Sequence, residues 1–211
     1  MPERVRFHFD PRCPWAYQTA RWMRRLEHLG EVEVSWAPFA LSVVHQTEEK
    51  RAAPDGDGAP ALRTVIALRA ARGEVAVGAF YEALGWAIHV EKRVVDDPHV
   101  ITAALRAAGA DPSIYEQAMR EPATWQAVLA EHEAAVRDKD AFGVPTIVLD
   151  GGDGPAMFGP VMYELPDDEG CRELWSHVRW LMRNENVAEL KRERSKRPVF
   201  HEVTQERHRA A

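Results

Sequence analysis

The period of the hydrophobic positions changes along the chain and predicts its elements. VRFHF (5–9) alternates and is rich in β-forming residues, which predicts a strand. A helix is predicted to begin at Cys13, because Pro14 stands in the first turn, where its missing N–H costs no hydrogen bond. Apolar residues then recur at helical spacing up to Gly30, and VEVSWAPF (32–39) predicts a second strand. The chain therefore opens as a β-α-β unit.

A long helical block follows this unit. Residues 45–60 are polar and rich in Gly and Pro, which predicts a loop. The segment from there to residue 140 has the apolar spacing of several helices. Asp97-Pro98 and Asp111-Pro112 each have a capping residue followed by a first-turn proline, so two helices are expected to begin there.

Strand character returns after the block. PTIVLD (145–150) predicts a strand, GGDG (151–154) a hairpin turn, and PAMFG (155–159) the partner strand. A last helix is predicted over 168–183. Its apolar stripe consists of Cys171, Leu174, Trp175, Val178, Leu181 and Met182. The charged segment from Glu185 is expected to fray.

The element order predicts one α/β sheet domain with a large all-helical insertion. Residues 1–44 and 141–184 form the β-α-β and β-β-α halves of this domain. Residues 45–140 are its loop and helical insertion, and 185–211 form a charged C-terminal tail.

Composition narrows the class of protein. The 211 residues are 45% hydrophobic, which is enough for a core, and the net charge of −6 argues against nucleic acid as a partner. The sequence has no apolar run of membrane-spanning length, and MPERVRFHFD lacks a signal peptide, so a cytoplasmic location without a membrane is expected. Neither a metal site nor a nucleotide-binding motif is predicted, since the only two cysteines lie far apart and no phosphate-binding loop is present.

Cys13 is the leading candidate for chemistry. A thiol at a helix N-terminus meets unpaired N–H groups and the positive end of the helix dipole, and Arg12 is adjacent, so a lowered thiol pKa is expected. The spacing is that of a C-x-x-C motif in which Ala16 replaces the second cysteine. A single-thiol enzyme and an inert capping cysteine both fit this position.

Two motifs make the chain resemble the DsbA-like branch of the thioredoxin superfamily. They are CPW (13–15) at the helix start and GVPT (143–146) before the late strand. The branch includes DsbA-type oxidoreductases, 2-hydroxychromene-2-carboxylate isomerases and kappa-class glutathione transferases. The resemblance implies a thioredoxin-like fold in which Pro145 is cis and faces Cys13, and in which the backbone of Val144 pairs with substrate.

A finer resemblance is to the actinobacterial mycothiol-dependent nitroreductases. It is carried by FDPRCPW (9–15), residues 19–23, YEALGWAIH (81–89), MFGPV (157–161) and ELKRER (189–194). It implies a low-molecular-weight thiol cofactor, mycothiol or glutathione, and a small-molecule or disulfide substrate. The implied thiol-binding residues are Pro14, Trp15, Val144, Pro145, Thr146 and His45.

The chain departs from that group at two positions. Ala16 stands where redox-active members carry the resolving cysteine, and His45 stands where the group has an asparagine. The absence of a neighbouring thiol excludes a disulfide within the motif. Cys171 as a remote resolving thiol is an alternative, but its place on an apolar stripe favours the core.

Three functions therefore remain open. Cys13 can exchange disulfides as a single thiol and be released by an external thiol. Alternatively, position 13 serves a bound small thiol, as in the transferases and isomerases, which have serine there. The third function is a non-catalytic binder of thiols or peptides. The assembly is expected to be a monomer or homodimer.

Further polar residues are candidates with ordinary alternatives. Strand alternation places His8 and Asp10 on one face, where they can relay protons, although an aspartate before a helix is common. His45 and His89 can line a cleft or be unremarkable histidines, and Tyr81 and Trp86 can wall a pocket or belong to the core.

Overall fold

A computed structural model of the chain describes residues 1–44 and 57–200, and His45 therefore lies outside the described residues. The strands are β1 (Glu3–Phe9), β2 (Val32–Pro38), β3 (Thr146–Val148) and β4 (Ala156–Phe158). The helices are α1 (Pro14–His28), α2 (Ala59–Arg72), α3 (Glu74–His89), α4 (Pro98–Ala107), α5 (Ser113–Arg120), α6 (Pro122–Lys139) and α7 (Asp168–Arg183). The predicted order of β-α-β, helical block and β-β-α is confirmed, and the last helix has the bounds that its apolar stripe predicted.

The four strands form one mixed sheet in the order β2-β1-β3-β4. β1 and β2 are parallel, joined by α1, and β3 and β4 form the antiparallel hairpin predicted around GGDG. β3 also pairs antiparallel with β1, with His8 opposite Thr146. Since antiparallel neighbours run in opposite directions, the start of β3 lies beside the end of β1, where Cys13 follows.

Helices cover both faces of the sheet. Phe7 and Phe9 point to one face, where their rings meet the edge of Trp36 at centroid distances of 5.4 and 6.2 Å. On the other face, the Arg6 guanidinium donates to Glu131 of α6 over 2.9 Å. Phe7, His8 and Phe9 are all buried, so the strand is covered on both sides at its carboxyl end, where the loop that leads to Cys13 begins.

Close contact between α1 and α3 depends on a glycine. A Cβ at Gly85 of α3 would overlap the ring of Tyr17 of α1. The flat face of a glycine lets the two helices approach, although glycine weakens a helix interior. This explains a glycine within the otherwise helical YEALGWAIH segment.

Of the two Asp-Pro helix starts, one is as predicted. Asp97 is the N-cap of α4, and its carboxylate accepts the N–H of His99 over 2.8 Å. α5 begins one residue later than predicted, at Ser113, although the Asp111 carboxylate still accepts its N–H over 2.8 Å.

The expectation of a tail that frays from Glu185 is wrong as far as residue 200. The N–H of Val199 donates to the carbonyl of Tyr163 over 2.7 Å, and the ring of Phe200 lies 5.4 Å from that of Tyr17. The side-chain amide of Gln18 donates to the carbonyls of both Tyr163 and Val199 over 3.1 Å. The end of the described chain therefore packs on α1, close to Cys13.

Candidate active site around Cys13

The position of Cys13 follows from the end of β1. The Cys13 N–H donates to the carbonyl of Asp10 over 3.0 Å, which turns the chain into α1. Cys13 is the N-cap of this helix and Pro14 its first residue, as predicted. Its Sγ accepts the N–H of Ala16 over 3.4 Å, so the thiol does face the N–H groups of the helix start.

The loop before β3 supplies the opposite side of the site. The Val144–Pro145 peptide bond is cis, and the Cys13 thiol donates to the Val144 carbonyl oxygen over 3.6 Å. The Thr146 hydroxyl donates to the carbonyl of Gly143 over 2.8 Å, which closes this loop. The two motifs that carried the resemblance therefore meet in space, although 131 positions separate Cys13 from Val144.

Aromatic side chains form the mouth of the site. Trp15 is half-buried, and the edge of its ring meets Tyr163 at a centroid distance of 5.8 Å. The Arg194 guanidinium lies 5.8 Å from the centre of the Trp15 ring. Among the described residues, no carboxylate forms an ion pair with Arg194, so its charge is available to a ligand above Trp15.

A second contact fixes the mouth to α1. The Thr19 hydroxyl donates to the carbonyl of Pro160 over 2.7 Å. Both residues belong to segments that carried the finer resemblance, and their contact holds the chain that leads to Tyr163 against the helix of Cys13.

Asp10 is fully buried at the base of the loop. One of its carboxylate oxygens accepts the N–H of Arg12 over 2.8 Å, and the other accepts the N–H of Leu41 over 2.9 Å. Burial raises the pKa of Asp10 to about 6, and the two N–H groups only partly oppose this. A carboxyl group with such a pKa gains and loses a proton near neutral pH.

The expected lowering of the Cys13 pKa is wrong. Burial raises the pKa of this thiol above its ordinary value, and the Asp10 carboxylate raises it further. The N–H groups of Ala16 and Trp15 and the charge of Arg194 act in the opposite direction but do not prevail. Arg12 does not help as expected, because its guanidinium pairs with Asp57 over 3.2 Å.

His8 lies in a different environment from Asp10. Its ring is buried, and burial lowers its pKa to about 4, with further lowering by Arg6, His132 and Lys139. His132 and Lys139 belong to α6, so His8 faces the helical block. The predicted relay of His8 and Asp10 toward Cys13 therefore has no support from the position of His8.

His89 of α3 contacts the Cys13 loop, and Tyr81 of the same helix stacks on Phe9 just before that loop. The His89 Nε2 lies 2.8 Å from the carbonyl oxygen of Pro11, and since a carbonyl only accepts, Nε2 carries the proton. Its ring stacks on Tyr17 at 5.2 Å, and burial lowers its pKa to about 4. His89 therefore holds the loop as a neutral hydrogen-bond donor. Trp86, the other aromatic candidate on this helix, is half-buried.

Cys171 is a core residue, as its apolar stripe predicted. It is fully buried, and its carbonyl accepts the indole N–H of Trp22 over 3.2 Å. Burial raises the pKa of its thiol to about 11. Within residues 1–44 and 57–200, no group of His, Cys, Asp or Glu side chains has the arrangement of a metal site.

Two further features of the described chain lie apart from Cys13. A surface hollow of about 320 Å³ among α2, α5 and α6 is lined by Ile66, Ala67, Ala70, Ala71, Gln117, Glu121, Ala123 and Thr124, none of them a predicted site residue. The helices in the described ranges are all too short or too polar to span a membrane.

Comparison with known proteins decides the family. The model of the Rv2466c-like family, described as mycothiol-dependent nitroreductase Rv2466c, matches residues 12–192. The chain belongs to this family. A Mycobacterium tuberculosis relative, Rv2286c, is 31% identical over 194 residues, which cover 90% of this chain and 82% of the relative.

Solved structures confirm the thioredoxin-like fold of the DsbA branch. Cytosolic disulfide reductase DsbM from Pseudomonas aeruginosa has a TM-score of 0.60 at 18% identity, with 84% of this chain and 99% of that chain covered. A 2-hydroxychromene-2-carboxylate isomerase has a TM-score of 0.59 at 16% identity, covering 88% and 100%. Pseudomonas aeruginosa DsbA has a TM-score of 0.55 at 17% identity, covering 88% and 84%. DsbM is also known in a structure with GSH.

Sequence reasoning missed part of the site. Tyr163, Gln18 and Phe200 lie in no motif, and Arg194 was noted only as the end of ELKRER, with no role at the site. The contacts of all four join segments that are distant in the sequence. The hydrogen bond from the Leu41 N–H to Asp10 could not be predicted either, because it depends on where β2 ends.

Proposed function

We propose that the protein is a thiol-disulfide oxidoreductase that acts through Cys13 alone and uses a low-molecular-weight thiol, mycothiol or glutathione. One observation carries the proposal: the Cys13 Sγ lies between the Ala16 N–H and the Val144 carbonyl. A substrate sulfur placed there meets a nucleophile on one side and backbone groups for docking on the other. The family description, mycothiol-dependent nitroreductase, favours mycothiol as the thiol.

The first half of the reaction forms a mixed disulfide. The Cys13 thiolate attacks one sulfur of a disulfide RS–SR′, an S–S bond to Cys13 forms, and R′S⁻ leaves. Because burial keeps the free thiol protonated, a base has to take its proton first. Asp10 has a pKa of about 6 and is therefore charged at neutral pH, which suits it to this role.

The second half releases Cys13. Cys171 is buried between α1 and α7 and cannot reach Cys13, so an external thiol has to supply the electron pair. The remaining partner then departs as a new disulfide, and Cys13 returns as a thiolate. Pro14 and Trp15, together with the edge formed by Val144, Pro145 and Thr146, would hold the thiol during this step. His45 stays a prediction for the same role.

The residues present fit a small thiol at this position. The Trp15 and Tyr163 rings give an apolar wall, and the Arg194 guanidinium adds a cation that no described carboxylate neutralises.

The cytoplasm remains the proposed location. The protein is proposed to be a monomer or homodimer, with its helical insertion as a separate subdomain.

A second function is favoured by the raised pKa of Cys13. A protonated thiol at the helix start can donate to the sulfur of a bound thiolate, as a serine hydroxyl would. That arrangement suits a thiol-dependent transferase or isomerase, in which Cys13 never forms a disulfide. A non-catalytic thiol or peptide binder would show neither activity.

Exchange with a chromogenic mixed disulfide of mycothiol distinguishes these functions. Wild type should release the chromogenic thiol, Cys13→Ser should fall to background, and Cys171→Ala should retain the wild-type rate because that cysteine is remote from the site. Replacing mycothiol by glutathione as the resolving thiol identifies the cofactor. Negligible exchange in wild type, together with thiol conjugation or isomerisation retained in Cys13→Ser, would establish the transferase or isomerase instead.

A further inference from the structure

Tyr81 of α3 has a buried hydroxyl without a hydrogen-bond partner among residues 1–44 and 57–200. Only 1% of the residue is exposed, and no atom in these ranges accepts from or donates to its Oη. A buried hydroxyl without a partner costs folding free energy, and phenylalanine would fill the same space without that cost. Such a group calls for a role that the resting structure does not show.

The Tyr81 ring packs against residues on both sides of Cys13. The Tyr81 ring stacks on Phe9 at a centroid distance of 4.0 Å and an angle of 25°. Its centre also lies 6.1 Å from that of Tyr17, in an edge-on contact. Phe9 precedes Cys13 by four residues and Tyr17 follows it by four, so the ring lies between the two ends of the segment that carries the thiol.

Electrostatics connects the same groups. Burial raises the pKa of Tyr81 well above its ordinary value, and the charges of Cys13 and Asp10 raise it further. The hydroxyl therefore keeps its proton over the whole working range and can only act as a donor toward an anion. The Asp10 carboxylate already accepts two N–H groups within 2.9 Å, whereas the Cys13 sulfur accepts the Ala16 N–H over 3.4 Å and has the Trp15 N–H as a further backbone donor.

Loss of the Cys13 proton changes the hydrogen bonds that its sulfur can form. The neutral thiol donates to the Val144 carbonyl over 3.6 Å. A thiolate has no proton to donate and is repelled by a carbonyl oxygen, so it turns toward donors. The N–H groups of Ala16 and Trp15 are such donors, and the Tyr81 hydroxyl, which has no partner among the described residues, is a side-chain donor in the same part of the fold.

We infer that the Tyr81 hydroxyl donates a hydrogen bond to the Cys13 thiolate, both when the thiol loses its proton and when the thiolate is released from a mixed disulfide. Tyr81 is then a catalytic residue of the proposed reaction, on which this inference rests. No covalent bond to Tyr81 forms, and its proton stays on the phenol. The role explains why a tyrosine occupies a place where phenylalanine would fold better.

The test compares Tyr81→Phe with wild type by alkylation of Cys13 with iodoacetamide at a series of pH values, read by mass spectrometry. Tyr81→Phe should move the midpoint upward by about one pH unit, equivalent to roughly tenfold less thiolate below the midpoint. Its thermal stability should be equal to or above that of wild type. Tyr17→Phe is the matched control, because its hydroxyl donates to the Glu82 carbonyl over 3.4 Å and should leave the midpoint unchanged.

An unchanged midpoint in folded Tyr81→Phe would overturn the inference. If that variant does not fold, crystal structures of wild type below and above the Cys13 midpoint decide the question. The Sγ should leave the Val144 oxygen and come within hydrogen-bonding distance of the Tyr81 Oη, and a thiolate that stays away from Oη refutes the role. Alkylation needs no substrate, so a shifted midpoint beside absent disulfide exchange would refute only the proposed function.

Discussion

The N–H of Ala16 donates to the Sγ of Cys13 over 3.4 Å, and the Ala16 side chain is fully buried one turn into α1. Position 16 therefore lies directly behind the thiol, at the place that a resolving cysteine would occupy. The missing second thiol follows from one side chain and not from a different backbone.

Ala16→Cys should consequently form a disulfide with Cys13 under mild oxidation, because the backbone already holds the two positions at the spacing of a C-x-x-C turn. Disulfide formation is measured as the loss of two hydrogen atoms by intact mass, and reduction of insulin should appear or increase. Ala20→Cys is the control, since Ala20 is similarly buried but lies a further turn along α1 and cannot reach Cys13. A variant with two free thiols after oxidation would mean that the turn is not that of a dithiol enzyme.

Asp10→Asn should change how stability depends on pH. The pKa of Asp10 is raised from 3.8 to about 6 on folding, so the folded state binds more protons than the unfolded state between these values. Wild type therefore loses stability as pH rises through this window, by roughly 3 kcal/mol in total, and the asparagine variant lacks this loss. In urea unfolding, the free energy of unfolding of the variant should increase relative to that of wild type between about pH 4 and about pH 7.

Asp111→Asn controls for the substitution itself. The exposed Asp111 carboxylate accepts the Ser113 N–H, which lowers its pKa, so its small contribution has the opposite sign. A pH dependence of Asp10→Asn equal to that of wild type would show that Asp10 is not buried as a proton acceptor.

Arg194→Gln should raise the pKa of Cys13. The charge of Arg194 lowers that pKa, and its guanidinium lies above the Trp15 ring. Because Arg194 is exposed, the pKa of Cys13 should rise by only roughly a few tenths of a unit, and the rise should be smaller at high salt. Lys196→Gln removes the same charge from the same segment, but Lys196 acts on Tyr163 and should leave the Cys13 alkylation midpoint unchanged. Equal shifts in both variants would indicate a general charge effect.

The elements that were predicted correctly have local signals. Pro14 in the first turn and the apolar stripe of α7 are properties of a few neighbouring residues, and both gave the correct helix. The meeting of Cys13 with Val144 could not come from periodicity, since the two are far apart in the chain, and it was expected only because two motifs resembled a known family.

The errors concern properties that depend on tertiary structure. The raised pKa of Cys13 results from burial and from Asp10, whereas the sequence shows only the helix start and a neighbouring Arg12. The segment from Glu185 is charged and was expected to fray, but the Phe200 ring packs against the rings of Tyr17 and His89. Both outcomes depend on which surfaces the fold brings together.

His89→Phe should separate the effect of the hydrogen bond from His89 to the Cys13 loop from the effect of its ring packing on Tyr17. Phenylalanine can keep the stack on Tyr17 but cannot donate to the buried Pro11 carbonyl, so the variant should lose about 1–3 kcal/mol at neutral pH. The pKa of His89 is lowered from 6.5 to about 4, so the folded state binds fewer protons than the unfolded state in this window. Wild type then loses roughly 3 kcal/mol as pH falls from about 6.5 to about 4, and the variant does not.

The difference between His89→Phe and wild type should therefore shrink or reverse on acidification. His89→Gln is the matched variant, because its amide can donate to Pro11 but neither stacks as a ring nor titrates. If the hydrogen bond positions the Cys13 loop, Gln should restore more of the alkylation rate of Cys13 than Phe does, whatever the two variants lose in stability. A larger rate in Phe than in Gln would show that the stack on Tyr17, and not the bond to Pro11, holds the thiol in place.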